Sequence, residues 1–397
     1  MNAREFQAPA SVNRAQRLGF MIGGIALVLS IVGAVTSPTK FYEAYIFSYM
    51  LVLGMALGSL GLLMCQHVTG GVWGIVIRRP LEAATRTLWL LVLMFIPIVR
   101  GMKTYYSEWL DPAKVKAHPL SDLQTRYLTQ SGFLIRAVVY FAIWGILVFL
   151  FNAWSKAQDA DPDDQAVRRR LRMTAPPGII LYVLATTFAS IDWVMSISPH
   201  WASTIYGFIF VGGQLITSMC LMIITVVLLG KSEPYSGFMY GRRLHDLGKW
   251  LFAFNMLWAY FAFSQLLIIW SGNQPEEISY YRTRLYGEWG VVAVMVLLFS
   301  FGLPFLILLS RDVKRSPKLV SIVAIWMLVF RLVDLYWMTR PEFTSSAWPS
   351  WLDIVVPVAL IGLWVGVYAT NLKQRPILPL GDPKLAEVLA HHEHGTA

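Results

Sequence analysis

Ten separate stretches of this chain are each apolar for close to the roughly 20 residues that an α-helix needs to cross a bilayer. They lie at 18–36, 41–65, 81–100, 133–154, 177–197, 202–229, 250–270, 289–309, 319–338 and 351–370. Only 14% of the residues are charged, against about a quarter in soluble domains. Such a chain is solvated by lipid and by its own helices. The expected fold is therefore an all-α polytopic membrane protein with ten transmembrane helices. Arg14 and Arg17 precede the first stretch, but no small-residue cleavage site follows it, so it reads as a retained helix rather than a signal peptide.

Loop charge sets the expected orientation. With the N-terminus inside, the outer segments hold only Lys40, Lys103, Lys114, Lys116, Arg126, Arg282, Arg284 and Arg340. Arg100, Arg136 and Arg331 fall in or at the ends of spans, and the other 22 of the 33 Lys and Arg lie inside. Basic residues collect on the cytoplasmic side, so both termini are expected there. The same loops account for the net charge of +10 and leave no basic face for nucleic acid. The weakest stretch, 81–100, is free of charge only over 87–99 and contains Pro97. The basic segments around Arg78 and Arg168 require an even number of crossings between them, so it spans, with Arg86 and Arg100 snorkelling.

Redox metals find no ligands here. Cys65 and Cys220 are the two cysteines, too few for a disulfide framework or a four-cysteine iron–sulfur site. His67, His118, His200, His245, His391, His392 and His394 fall in loops, turns or the tail, so no haem is expected within the helices. The HHEH run at 391–394 offers a metal no fixed geometry. Among the loops, the outer segment 101–130 carries Tyr105, Tyr106, Trp109 and Tyr127, and reads either as an ordered surface loop or as a docking surface for an outer partner. The inner segment pairing Asp159–Asp164 with Arg168–Arg172 reads as a solvated, self-neutralising connector.

An internal repeat joins the fifth and ninth stretches. Phe188, Ile191, Asp192 and Pro199 match Phe330, Val333, Asp334 and Pro341 at identical spacing. Each acid lies one and a half to two turns inside the outer end of its helix. Four spans separate the two, as two parallel four-helix bundles would require, helices 2–5 over 41–197 and helices 6–9 over 198–338. The remaining divisions are 1–40 with the first helix, 339–370 with the tenth, and the tail 371–397.

Ionisable residues inside spans cost roughly 2.5–3.5 kcal/mol each, and so mark pairing or function. Those expected are Arg136, Asp192, Arg331, Asp334 and Asp353, with Glu43, His200 and Glu288 at the boundary, all in the outer third. The inner halves add only Glu82 and Arg86 at the inner end of the third span. Arg331 and Asp334, spaced i, i+3, share a helix face and can pair. Asp192 has no basic residue within a turn; it must find Arg136, Arg331 or His200, or stay protonated. The seventh helix adds Tyr260, Ser264 and Gln265; Tyr260 and Ser264, spaced i, i+4, face the same way and read either as a polar stripe for water or as ordinary interhelical hydrogen bonding.

The segments FASIDWVMSISPHWASTIYGFIFVGG (188–213), WAYFAFSQLLIIWSGNQPEE (258–277) and LPFLILLSRDVKRS (303–316) resemble the ActF subunits of bacterial alternative complex III, a quinol:electron-acceptor oxidoreductase. More distantly the chain is similar to the NrfD/PsrC family of membrane quinone subunits. The likeness runs over about 18–375. It implies a multi-pass subunit of the bacterial cytoplasmic (inner) membrane beside a paralogous NrfD-like, ActC-like subunit. A periplasmic iron–sulfur subunit and c-type haem subunits receive the electrons. It also implies quinol oxidation near the outer face, with menaquinone or ubiquinone as the cofactor and no haem or iron–sulfur cluster in this chain.

On that reading Asp192 or His200 accepts a quinol proton, Arg331 steadies charge, and Asp334 and Glu288 pass protons outward, with Asp192, His200 and Arg136 around the quinone. The alternatives are a structural, proton-conducting subunit without quinone, and a secondary transporter. The transporter has against it the lack of broken helices and polar residues at the midplane.

Overall fold

The structure, a computed structural model, describes residues 6–232, 235 and 241–385; the run at 391–394 lies outside them. Ten helices among the described residues are long and apolar enough to cross a membrane: Ala10–Thr36, Pro38–Thr69, Val72–Arg100, Gln130–Ala160, Gln165–Ile197, Tyr206–Leu229, Arg242–Gly272, Gly287–Leu309, Pro317–Glu342 and Leu352–Leu372. The described residues contain no strand. The expected spans all recur, most of them longer by a turn or more at one end.

The fifth span starts at Gln165 instead of near Pro177, and the third at Val72 instead of near Leu81; the third also differs in build. It is a chain of short helices, interrupted at Arg86-Thr87 and again at Phe95, just ahead of Pro97. Proline lacks an N–H and clashes with the preceding turn, which breaks the ladder there. The eighth span contains a π-helical turn at Val296–Gly302, beside Pro304. Donors from neighbouring spans reach the loosened carbonyls: Trp326 Nε1 donates to Phe299 O at 3.0 Å, and Asn255 Nδ2 to Phe301 O at 3.4 Å.

The second and sixth spans form the centre, buried over almost their whole apolar length and packed on each other. Their backbones approach closely because Gly58 lies against the Gln214 carbonyl, and Ser59 and Ser218 share a hydrogen bond of 2.7 Å. Small residues permit such approaches where lipid offers no hydrophobic gain for helix association. Around this pair, the second span packs on the third, fifth, ninth and tenth, and the sixth packs on the fifth, seventh and ninth.

The first and tenth spans form a separate pair on the flank. Gly19 and Gly23 on one lie against Gly362 and Gly366 on the other, so closely that a Cβ on any of the four would overlap its neighbour. Two facing Gly-x-x-x-Gly motifs carry this crossing. Their spacing is legible in the sequence and was not among the features expected to matter. Outward faces of the first, fourth, seventh and eighth spans present apolar side chains such as Val35, Phe149, Phe263 and Leu306.

Candidate functional site

The fifth span loses its α-helical ladder at Val194 and closes in a 3₁₀ turn, Met195–Ile197. Pro199 follows, and the residue before a proline is biased toward extended backbone. Asp192 sits just inside this ending and is 0% exposed. The fourth span supplies its partners. Arg136 Nε donates to Asp192 Oδ2 at 2.8 Å and Nη2 to Oδ1 at 3.0 Å, a bidentate pair. One turn on, the Tyr140 hydroxyl donates to Oδ2 at 2.7 Å.

Of the three expected partners, then, Asp192 has Arg136. That guanidinium also donates to the Tyr127 carbonyl at 3.0 Å and lies 3.8 Å over the Tyr127 ring. Burial, together with the nearby Asp192 carboxylate, pushes the Tyr127 phenol up to about 12. His200 is exposed, its ring 6.2 Å from that of His118, and makes no hydrogen bond or ion pair with Asp192.

The segment 101–130 folds over this end of the bundle as short helices, with Tyr105, Tyr106 and Trp109 buried beneath it. Tyr106 donates to the Trp193 carbonyl at 3.0 Å, Trp109 Nε1 to Ser196 O at 3.0 Å, and Gln124 Nε2 to Pro199 O at 2.7 Å. Tyr105, Tyr106 and Trp109 therefore point inward and close the helix end.

Asp334 has a different setting. It pairs with Arg331 on its own helix, as the spacing predicts, and both side chains are buried. The guanidinium lies flat on Gly213 of the sixth span, where a Cβ would overlap Cζ and Nη2. The helix Pro275–Leu285 covers this end. Its Arg284 donates to the Met338 carbonyl at 2.9 Å, pairs with Glu342 at 2.7 Å and lies 3.6 Å over the Tyr280 ring. Ser196 and Met338 each stand four residues beyond their acid, so a side chain of the covering segment caps the equivalent carbonyl in both halves.

A third buried cluster at the same end was not expected as a unit. Arg340, which loop counting put outside, is buried between Glu43 of the second span and Asp353 of the tenth, pairing with both, the latter at 3.3 Å. Asp353 Oδ2 also accepts from Ser350 N at 2.8 Å and Ser350 Oγ at 2.9 Å, while its Oδ1 is buried without a partner. Glu288 is exposed at the head of the eighth span and accepts from Ser346 Oγ at 3.0 Å and Ala347 N at 2.8 Å. Between them lies a cavity of about 480 Å³, walled by Phe47, Val291, Leu332, Val333 and Tyr336 and bounded by Glu288 and Asp353.

The opposite end of the bundle corrects the expectation that its inner half is nearly free of charge. Glu82 is 0% exposed, with Arg79 at 2.6 Å and Arg78 and Arg375 each at 3.3 Å. Arg78 pairs with Asp382 at 2.7 Å and Arg79 with Asp159; Ser155 Oγ donates to Glu82 at 2.5 Å. Three arginines and three acids thus satisfy one another, which is what permits Arg78 and Arg79 to lie inside the bundle. Asp159 is consequently not part of a solvated connector. The spacings Arg78–Glu82 and Arg79–Glu82, i, i+4 and i, i+3 on a helix, are the signal that loop counting passed over. Tyr260, by contrast, is exposed on the outward face, while Gln265 is buried and bonded to Ser203 and Tyr281.

No family model matches this chain, and no curated protein matches it.

Proposed function

We propose that this chain is the membrane subunit of a quinol:electron-acceptor oxidoreductase of the alternative complex III kind, with both termini cytoplasmic and the Asp192 end facing outward. The observation that carries the reading is the pair of buried acids, Asp192 and Asp334, at equivalent places on the fifth and ninth spans, each capped by a covering segment. Some helix contacts support two parallel four-helix bundles: exchanging the second, third and fifth spans with the sixth, seventh and ninth maps the second span's packing on the third, fifth and ninth onto the sixth span's packing on the seventh, ninth and fifth. An even number of crossings leaves both termini on one face, and the loop charge argues that this face is cytoplasmic.

A bound quinol would supply two electrons and two protons to the complex. Partners holding the iron–sulfur centre and c-type haems would take the electrons. For this chain's own residues the geometry favours division of labour. Arg136, Tyr140 and Asp192 hold the fourth and fifth spans together, because the Asp192 oxygens are already engaged. The exposed His200 and Glu288 are the groups free to exchange protons with the outer solution.

Two experiments test this. Purification from native membranes is expected to yield the chain together with c-type haem absorbance and a second membrane subunit; isolation as a lone polypeptide sinks the reading. With the complex in hand, His200→Ala and Glu288→Gln are expected to slow quinol oxidation or proton release. Asp192→Asn is expected to impair assembly first. Normal turnover in all three variants removes these residues from the pathway.

A further inference from the structure

The charges around Glu82 satisfy one another, but a second group at the same end of the bundle does not. The inner end of the seventh span and the connector after the eighth, 242–249 and 311–318, carry seven Lys and Arg against two acids. The helix Arg311–Arg315 packs back on the seventh span. The Lys314 stem crosses Gly248 so closely that a Cβ there would overlap its Cγ. Its Nζ lies 5.7 Å from the centre of the Phe252 ring, which stacks on Phe305 of the eighth span. Lys249, Lys314 and Arg315 thereby come within electrostatic reach of one side chain, His245. The acid in that group is Asp246, which accepts from Lys249 at 3.1 Å. Among the described residues Lys314 and Arg315 form no ion pair.

Basic residues collect on the cytoplasmic side without any need to touch one another. Here packing draws like charges together, and their repulsion is relieved only by an anion. Burial and the neighbouring Lys249 accordingly hold the Lys314 ammonium below its ordinary value. Deeper along the same two spans the exposed side chains are apolar, among them Met256, Leu306 and Leu309. An occupant must therefore offer negative charge at one end and hydrocarbon at the other.

We propose that this patch is the head-group site of an anionic phospholipid with two phosphodiesters, drawn from the leaflet at this end. Its phosphates lie among Lys249, Lys314 and Arg315, and its acyl chains lie along Met256, Leu306 and Leu309. Three cations against one acid leave two positive charges, which two phosphodiesters neutralise. A zwitterionic head group brings no net charge to the patch, and a free phosphate leaves the apolar surface below it uncovered. The site does not depend on the quinol reading. It needs only that the seventh and eighth spans cross a bilayer.

The test titrates the full chain in detergent with tetraoleoyl cardiolipin, dioleoyl phosphatidylglycerol or dioleoyl phosphatidylcholine, and reads bound lipid by native mass spectrometry. Cardiolipin is expected to bind about fivefold or more tightly than phosphatidylglycerol, with phosphatidylcholine weakest. Lys314→Gln with Arg315→Gln is expected to weaken cardiolipin about thirtyfold, the worth of two basic residues at a lipid surface. Arg169→Gln with Arg170→Gln removes the same charge from another connector, where both residues are exposed, and is expected to leave binding unchanged. Lys249→Gln leaves the helix Arg311–Arg315 intact and is expected to cost about fivefold by itself.

An equal loss in the two double variants reduces the binding to the general charge of this face and overturns the site. Undiminished affinity in Lys249→Gln does the same, whatever happens to the connector helix in the double variant. Equal affinity for cardiolipin and phosphatidylglycerol overturns the two-phosphate assignment. Displacement of cardiolipin by millimolar inorganic pyrophosphate overturns the lipid itself and makes the patch a site for soluble phosphates.

Discussion

On the fifth span Asp192 takes its counter-charge from the neighbouring fourth helix, and part of that charge still reaches solvent: the Arg136 side chain is 22% exposed. On the ninth span Asp334 takes its counter-charge from its own helix, three residues back, in a pair buried on both sides. The two acids stand at the same spacing ahead of Pro199 and Pro341, so the contrast bears on what a counter-ion's origin does. The first pair ties two helices together and has a third donor in Tyr140. The second ties nothing laterally; it neutralises itself and lets a smooth helix face press on Gly213.

The contrast breaks most sharply at Asp334. Asp334→Ala strands the Arg331 guanidinium in a dry interior, and thermal melting in nanodiscs is expected to show a loss of roughly 3–5 kcal/mol. Removing both charges, as Arg331→Met with Asp334→Leu, is expected to recover most of it, since a buried pair replaced by apolar groups is often neutral. A single variant within about 1 kcal/mol of the parent makes the burial of this pair energetically irrelevant and ends the comparison.

At Asp192 the same logic gives a smaller number. Asp192→Asn frees Arg136, which retains the Tyr127 carbonyl and ring and can reach solvent, so about 2–3 kcal/mol is expected once screening is allowed for. The loss should shrink further in high salt, whereas the Asp334→Ala loss should not, because buried charges are little screened. Equal salt dependence in the two variants contradicts the difference in exposure. Gly213→Ala probes the other half of the contrast. A Cβ there forces the Arg331 guanidinium to move, and about 2 kcal/mol of overpacking cost is expected, with no counterpart at Asp192.

How much of this was legible follows from what each signal measures. Span count is read from runs of apolar residues, which are long enough in nine helices to survive uncertain ends; the third, charge-free only over 87–99, was counted from the parity of the basic loops. Arg331–Asp334 was legible because both partners sit on one helix, where spacing alone fixes the distance. Arg136–Asp192 could only be narrowed to a choice of partners, since no rule of sequence brings the fourth span to the fifth at that height. Arg78 and Arg79 were misplaced for a physical reason: loop counting treats basic residues near a span end as solvated. Here Glu82, Asp159 and Asp382 neutralise them inside the bundle. Arg340 escaped for the same reason, its partners Glu43 and Asp353 lying on two distant spans. The cavity had no sequence signature at all, because its lining comes from four helices and a loop.

Tyr140 gives the finest test of the contrast, since Asp334 has no tyrosine at the corresponding distance on its own pair. Tyr140→Phe removes a single 2.7 Å donor to a buried carboxylate and keeps the ring among its aromatic neighbours Trp144 and Trp193. Stability should fall by about 1.5–3 kcal/mol, the range for a hydrogen bond to a charged acceptor. If the hydroxyl acts through Asp192 and not through packing, the same substitution in an Asp192→Asn background should cost markedly less. The cycle should then return a coupling of about 1 kcal/mol between the two sites. Strict additivity of the two losses would mean that the Tyr140 hydroxyl stabilises the fourth span independently of the Asp192 carboxylate. The Asp192 pair would then need no third donor, and the two halves of the repeat would differ only in where the arginine is rooted.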